Sequence, residues 1–537
     1  ETRHIAVFNG YVVGFGEYEA TERLDMANRF VVPGLVDAHV HIESAMTAVS
    51  EFVRAVLPHG TTTVIADPHE IANVMGIDGI TYIMREGQRQ PMNVFFALPS
   101  CVPATNMETA GASLDAETLA PLFSNERVPA LAEMMNFPGV ISCDPQVLKK
   151  IKLAMDARKP VDGHAPGLTG KALNAYLSAG IASDHECTLV EEAREKLAAG
   201  MHVMIREGTG AKNLDDLLPL VNPQNAQRVM WCTDDRHPHD ICRYGHIDEI
   251  VRRAIAAGLA PITAIRMATL NPACYFNLSR IGAIAPGYRA DMVVVSDLTE
   301  FEPEQVYTGG RLVADSGRMS PGIEVPAPMP CRAPMQVDLA RLNFQIPLES
   351  AKARVIELVS NQIFTRQQIF SVKQENGMAV ADPSSDVLKI AVVERHHKSG
   401  NIGKGFVKGF GIRRGALASS VAHDSHNILV VGAIDGDMQA AVKHVVEMGG
   451  GFCVVLNQAV IADLALPIAG LMSDQPMDVV RQQMDRLIHA AKGLGCGLAD
   501  PFMTLSFLAL PVIPELKITD KGLFDVNQFK HVPVFVD

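Results

Sequence analysis

The chain has 537 residues, 48% hydrophobic and 20% charged, enough for a large core and two or three domains. Its formal charge of −13 argues against a nucleic-acid partner, because such binding rests on cationic contacts to phosphate. No apolar run reaches bilayer-spanning length, so no membrane partner is expected, and nine cysteines without a C-x-x-C pair suit free thiols in the cytoplasm.

The chain opens inside strand-like sequence, His4–Phe8 and Tyr11–Val13, which implies an upstream segment carrying the first strand of a small sheet. Next comes Val32-Pro33-Gly34-Leu35-Val36-Asp37-Ala38-His39-Val40-His41, an apolar strand ending in two histidines one residue apart. Alternate residues of a strand share a face, so His39 and His41 aim two imidazoles at one point. Asp37 stands where a carboxylate can orient a metal-binding histidine.

Apolar, β-branched runs then recur with helical patterns between them: 30–40, 61–66, 92–98, 130–134, 160–163, 180–183, 201–205 and 228–232. Eight such βα units predict a closed parallel barrel, whose chemistry sits at the C-terminal strand ends. Those ends collect His39 and His41, Asp67 and His69, Cys101, Glu133, His164, His185, Arg206 with Glu207, and Asp234 with Asp235. Each has an ordinary alternative: His164 as a core histidine, Asp234 as a helix cap, Arg206–Glu207 as a structural ion pair. Imidazoles and carboxylates at successive strand ends together form a ligand set for two divalent metals.

Past the barrel, a strand-rich stretch ends in a Pro-rich segment from Ser320 to Val337 that reads as linker. Beyond it, apolar runs at 427–431 and 452–456 flank a helix predicted over 437–448 and closed by Gly449-Gly450. His423-Asp424-Ser425-His426-Asn427 either forms a hydrogen-bonded turn or reaches over the barrel mouth, with or without a metal.

V-P-G-L-V-D-x-H-x-H resembles the first-strand signature of the amidohydrolase superfamily of metal-dependent hydrolases, and 267–273 and 281–295 resemble its return into a small β domain. The resemblance implies a (β/α)8 TIM barrel over 31–280 and a composite β domain from 1–30 and 281–320. A linker over 321–348 and a separate α/β domain over 349–537 complete the expected organisation. It makes His39, His41, Glu133, His164, His185 and Asp234 the metal ligands, Glu133 standing where many relatives carry a carboxylated lysine.

Asp67–Asn73, Leu131–Phe137, Thr233–Pro238 and the C-terminal motifs at 409–411, 419–427, 466–474 and 501–507 resemble the adenine deaminase family. That resemblance covers essentially the whole chain. It implies hydrolysis of adenine to hypoxanthine and ammonia in purine salvage, two divalent ions with Mn(II) or Fe(II) favoured over Zn(II), and a homodimer. Asp234 is then general base and acid, and Glu70, Arg206 and His237 contact substrate.

The ring-protonating glutamate expected shortly after the fifth-strand histidine is absent, so Glu207 is the first candidate, with His69 or Glu70 second. His41-Ile42-Glu43 matches half of a cytidine-deaminase motif that no C-x-x-C completes. The alternatives are a cyclic amidohydrolase of dihydroorotase or hydantoinase type and a non-catalytic barrel relative.

Overall fold

The computed structural model describes residues 3–333, 335–359 and 362–536. Its first decisive feature is Gly34, which divides the apolar run 30–40 into two strands. Phe30–Pro33 pairs antiparallel with Met292–Val295, while Leu35–Val40 (β1) turns into a parallel sheet. A Cβ at Gly34 would meet the Thr62 side chain at 2.1 Å, so only glycine lets the backbone make this crossing. Phe30–Pro33 therefore lies in the small sheet, a correction to the barrel boundary expected at residue 31.

After β1 come Thr61–Ala66 (β2), Asn93–Phe96 (β3), Leu131–Met134 (β4), Val161–Gly163 (β5), Ser183–Asp184 (β6), His202–Arg206 (β7) and Val229–Cys232 (β8). Parallel ladders join β1–β2–β3, β4–β5 and β6–β7–β8. Parallel bridges Leu98–Leu131, Val161–Ile181 and Val40–Asp234 link these groups and return the last strand to the first. The run expected over 180–183 is reduced to β6 plus the Ile181 bridge.

Period-2 alternation decides what each face holds. Ala38, Ile65, Ala97, Ala132, Met204, Met230 and Cys232 cluster inside the ring. Leu35, Val64, Val94, Leu131, Val203 and Val229 join the larger core beneath the surrounding helices. The small sheet takes strands from both flanks, in the order 318–319, 311–315, 305–308, 292–295 and 30–33.

The C-terminal part is built on a nine-stranded sheet. The helix Asp435–Glu447 buries Met438, Ala441, Val442 and Val445 against one face. The helix Met477–Gly493 buries Val480, Met484, Leu487 and Ala491 against the other. Both stripes follow the helical i, i+3/i+4, i+7 spacing. The Pro-rich segment is a packed strap and not a free tether: Ala333 and Phe344 are buried, and Val325 and Met329 accept hydrogen bonds from Arg54 and Tyr82.

The C-terminal part is seated on the strand-end side of the ring. Thr47 pairs with Ser473, the Asn427 side-chain amide donates to the Thr109 carbonyl at 2.7 Å, and Thr109 donates from backbone and hydroxyl to Asp520. Among the described residues, no helix is long and apolar enough to cross a membrane.

Candidate metal centre

Glu133, at the end of β4, is the hub of a buried cluster. Its Oε1 lies 3.3 Å from His41 Nε2 and 3.8 Å from His39 Nε2. Its Oε2 lies 2.6 Å from His164 Nδ1 and 3.3 Å from His185 Nε2. Asp234 Oδ1 completes the group, 3.4 Å from His39 Nε2 and 3.2 Å from His41 Nε2. Five of the six residues are buried, and His164 is 22% exposed at its side chain, so the cluster opens towards it.

Backbone pairing fixes these groups. Asp234 N–H donates to the His39 carbonyl at 2.9 Å, and His41 N–H donates to the Asp234 carbonyl at 3.2 Å. Asp234 itself has φ 56°, the left-handed region that aspartate tolerates better than most residues. Asp235 turns instead to the Ser44 hydroxyl. Asp37 ties β1 to the end of β8 by accepting from the backbone N–H groups of His39 and Thr233, and its Oδ2 lies 3.3 Å from the imidazole of His246, which is outside the cluster.

The donor set fits divalent cations. His41 Nδ1 hydrogen-bonds the Asp67 carbonyl at 3.0 Å, which makes Nδ1 a donor and leaves Nε2 as the nitrogen turned to the cluster. His39 Nε2 lies 3.1 Å from that atom, and both face carboxylate oxygens. His39, His41 and Asp234 form one group of possible ligands and His39, Glu133 and His185 another, each with its ligand atoms within 4.8 Å of one another.

The electrostatics favour ionised carboxylates. Burial opposes the Glu133 charge, but the His164 charge and hydrogen bonds from His164, His185 and His41 hold its carboxyl well below the usual range. Asp234 is likewise held low against burial, chiefly by Arg206 and then by His39 and His41.

Arg206 is bound by protein groups through Nε, Nη1 and Nη2. Nη1 donates to Asp234 Oδ2 at 2.7 Å, Nη1 and Nη2 clasp both oxygens of Glu186, and Nε donates to Asn213. The side chain expected to contact substrate is held against Asp234. Glu186 was missed in sequence, although it directly follows His185.

Glu207 is held by two other partners. Its Oε1 accepts from Leu214 N–H at 2.8 Å and its Oε2 from Arg253 Nη1 at 2.5 Å, so both oxygens are engaged away from the cluster. An ion pair exists as the ordinary reading foresaw, but with Arg253 and not Arg206.

His69 and Glu70 stand on the other flank. His69 Nδ1 lies 3.2 Å from Asp67 Oδ2 and 3.5 Å from Glu133 Oε1, and its Nε2 lies 3.6 Å from Glu70 Oε1. Glu70, Glu43, His237, His423 and His426 line one small cavity. His237 Nδ1 also reaches Asp500 Oδ2 of the C-terminal part at 3.4 Å. Glu43, pushed up to about 7 by burial, is a pocket residue that its position two after His41 could have flagged.

Residues 30–313 match the amidohydrolase family, which sets the class of protein, and residues 362–530 match the adenine deaminase C-terminal domain. Amidohydrolases generally use divalent metal ions, in keeping with the ligand groups present here. A protein of Desulfatibacillum aliphaticivorans named adenine deaminase is 56% identical over 99% of this chain and 93% of its own length. Namesakes from Methanothrix thermoacetophila and Clostridium acetobutylicum are 49% and 47% identical, over 99% and 98% of this chain and 94% and 93% of their own lengths. The chain belongs to the adenine deaminase family within the amidohydrolases.

Proposed function

We propose that this chain hydrolyses adenine to hypoxanthine and ammonia, in purine salvage, at two divalent ions held by the ends of a (β/α)8 barrel. The ring of parallel ladders and bridges supports the barrel reading. The observation that carries the site is the division of Glu133, whose Oε1 faces His39 and His41 while Oε2 faces His164 and His185. A carboxylate so divided is suited to bridging two ions. His39, His41 and Asp234 would serve one side and His164 and His185 the other.

Divalent ions bound there would supply an activated water near neutral pH. The imidazole and carboxylate donors admit Mn(II), Fe(II) or Zn(II), and the family resemblance favours the first two. Asp234, kept ionised by Arg206, accepts a proton from the nucleophile and returns it to the departing amine. Attack at C6 also requires a proton on a ring nitrogen. Glu70 takes that role in place of Glu207, because it lines the cavity beside His69.

The small β domain (to residue 33, with 281–320), the barrel, the strap and the C-terminal domain from 349 are the units of this reading. Nine free thiols support a cytoplasmic setting, and a homodimer follows the family resemblance. The test is ammonia release from adenine by protein reconstituted separately with Mn(II), Fe(II) and Zn(II), beside ring opening of dihydroorotate and hydantoin. Ammonia from adenine alone is expected. A fully metal-loaded protein that releases none sinks the assignment.

A further inference from the structure

Glu70 is reached from both sides by the C-terminal part of the chain. His423 Nδ1 lies 2.6 Å from Glu70 Oε1, and His426 Nε2 is in direct contact with Oε2. All three side chains sit in one pocket wall, and Glu70 and His426 are completely enclosed. Some 350 residues separate the carboxylate from its imidazoles, so only the seating of one domain on the other creates the arrangement.

The two histidines are not equivalent. His426 Nδ1 accepts the Ala422 backbone N–H at 3.1 Å, which makes it the neutral tautomer with its single proton on Nε2, facing Glu70. Its ring is fixed in that orientation. His423 has no such restriction: its ring stacks on Phe507 at 4.7 Å between centroids and 25° between planes, a face that favours a cation. The charged and titratable groups around it are Glu70, Asp424, Asp235 and His426, and those around Glu70 are His69, Glu43, His423 and His426.

We propose that His423, presented by the C-terminal domain, holds the proton that Glu70 passes to the purine ring nitrogen, while His426 keeps Glu70 oriented. The inference rests on the reading of Glu70 given above. The proton leaves His423 Nδ1 for Glu70, and Glu70 delivers it to the ring nitrogen as the nucleophile adds at C6. That proton stays on the ring in hypoxanthine when the C6–N bond breaks and ammonia departs. His423 is reloaded once per turnover by the proton released when water ionises. The charges agree with this direction. Burial alone would lower the His423 value, but Glu70, Asp235 and Asp424 raise it to about 9, and Glu70 is held well below its usual range against burial, chiefly by His423. At neutral pH the spare proton therefore resides on His423.

The experiment is the kcat–pH profile, KM and metal content of His423→Gln in the metal-loaded full chain, with His423→Asn as a second variant should Gln not fold. Expected are two ions per chain as in wild type, KM within about threefold, and kcat lowered about 100-fold. The wild-type decline above about pH 9 should be absent from the variant. Wild-type kcat with an unchanged profile overturns the proposal. So does loss of one ion with His423, which would make the cluster a metal site. A wild type that releases no ammonia from adenine removes the underlying reading too, whereas an active wild type matched by His423→Gln removes only this proposal.

Discussion

Arg206 Nη1 donates to Asp234 Oδ2 at 2.7 Å, while the same guanidinium clasps both oxygens of Glu186. One buried cation is thus shared by two carboxylates and fixes the rotation of the group proposed as base. Replacing it with methionine leaves both carboxylates buried without their cation, a loss of about 3–5 kcal/mol. Arg206→Met should lower the unfolding midpoint and turnover together. Adding Glu186→Gln should restore stability in part and turnover hardly at all, as urea titration and ammonia release would record. Full recovery of turnover would contradict the hold on Asp234.

Glu133→Gln keeps the volume but removes the charge that faces five imidazoles. Elemental analysis should find less than the full complement of metal, and ammonia release should drop by at least about 100-fold, the scale on which metal-site partners act. Retained metal and turnover would refute a bridging carboxylate.

Glu207→Gln should be nearly silent in catalysis. The amide oxygen can still accept from Leu214 N–H, and the lost ion pair is with Arg253, whose side chain is 33% exposed. The expected change is about 1 kcal/mol in stability and less than threefold in kcat. A fall of 100-fold or so, of the size a general acid supplies, would return Glu207 to the reaction.

Lys517 gives a pH signature unrelated to the metals. Full burial pulls its amine down to about 7, and its two hydrogen bonds, to the carbonyls of Ile363 at 2.8 Å and Phe507 at 3.0 Å, match the two N–H groups of a neutral amine. Between about pH 7 and the ordinary lysine value near ~10.4, the unfolded chain binds a proton that the folded chain does not. Stability from this residue therefore rises with pH through that window, at up to ~1.4 kcal/mol per unit. Wild type should gain on Lys517→Met in urea midpoint between pH 7 and 9. A difference independent of pH would show that the amine stays charged.

Much of the strand ring was readable because β period and polar punctuation are local. The runs ending near His41, Asp67, Leu98, Met134, His164, Asp184, Arg206 and Asp234 correspond to β1 through β8 within a few residues. The division at Gly34 was not readable, since it depends on Thr62 and Met292–Val295 approaching from elsewhere. The partner of Glu207 was unreadable for a related reason. Its neighbour Arg206 suggested a pair, yet side chains adjacent along a strand point to opposite faces, and each found a partner tens of residues away.

Sequence by itself determined the residue types at the strand ends, and with them the imidazole and carboxylate chemistry of the cluster. Only the tertiary structure decided where each carboxylate points: Glu133 between two histidine pairs, Asp234 towards His39 and His41, Glu70 between His423 and His426. Strand periodicity is written in neighbouring residues, whereas the partner of a buried charge is chosen by whichever oppositely charged or hydrogen-bonding group the packed fold brings within about 3 Å, because leaving it unpaired costs several kcal/mol.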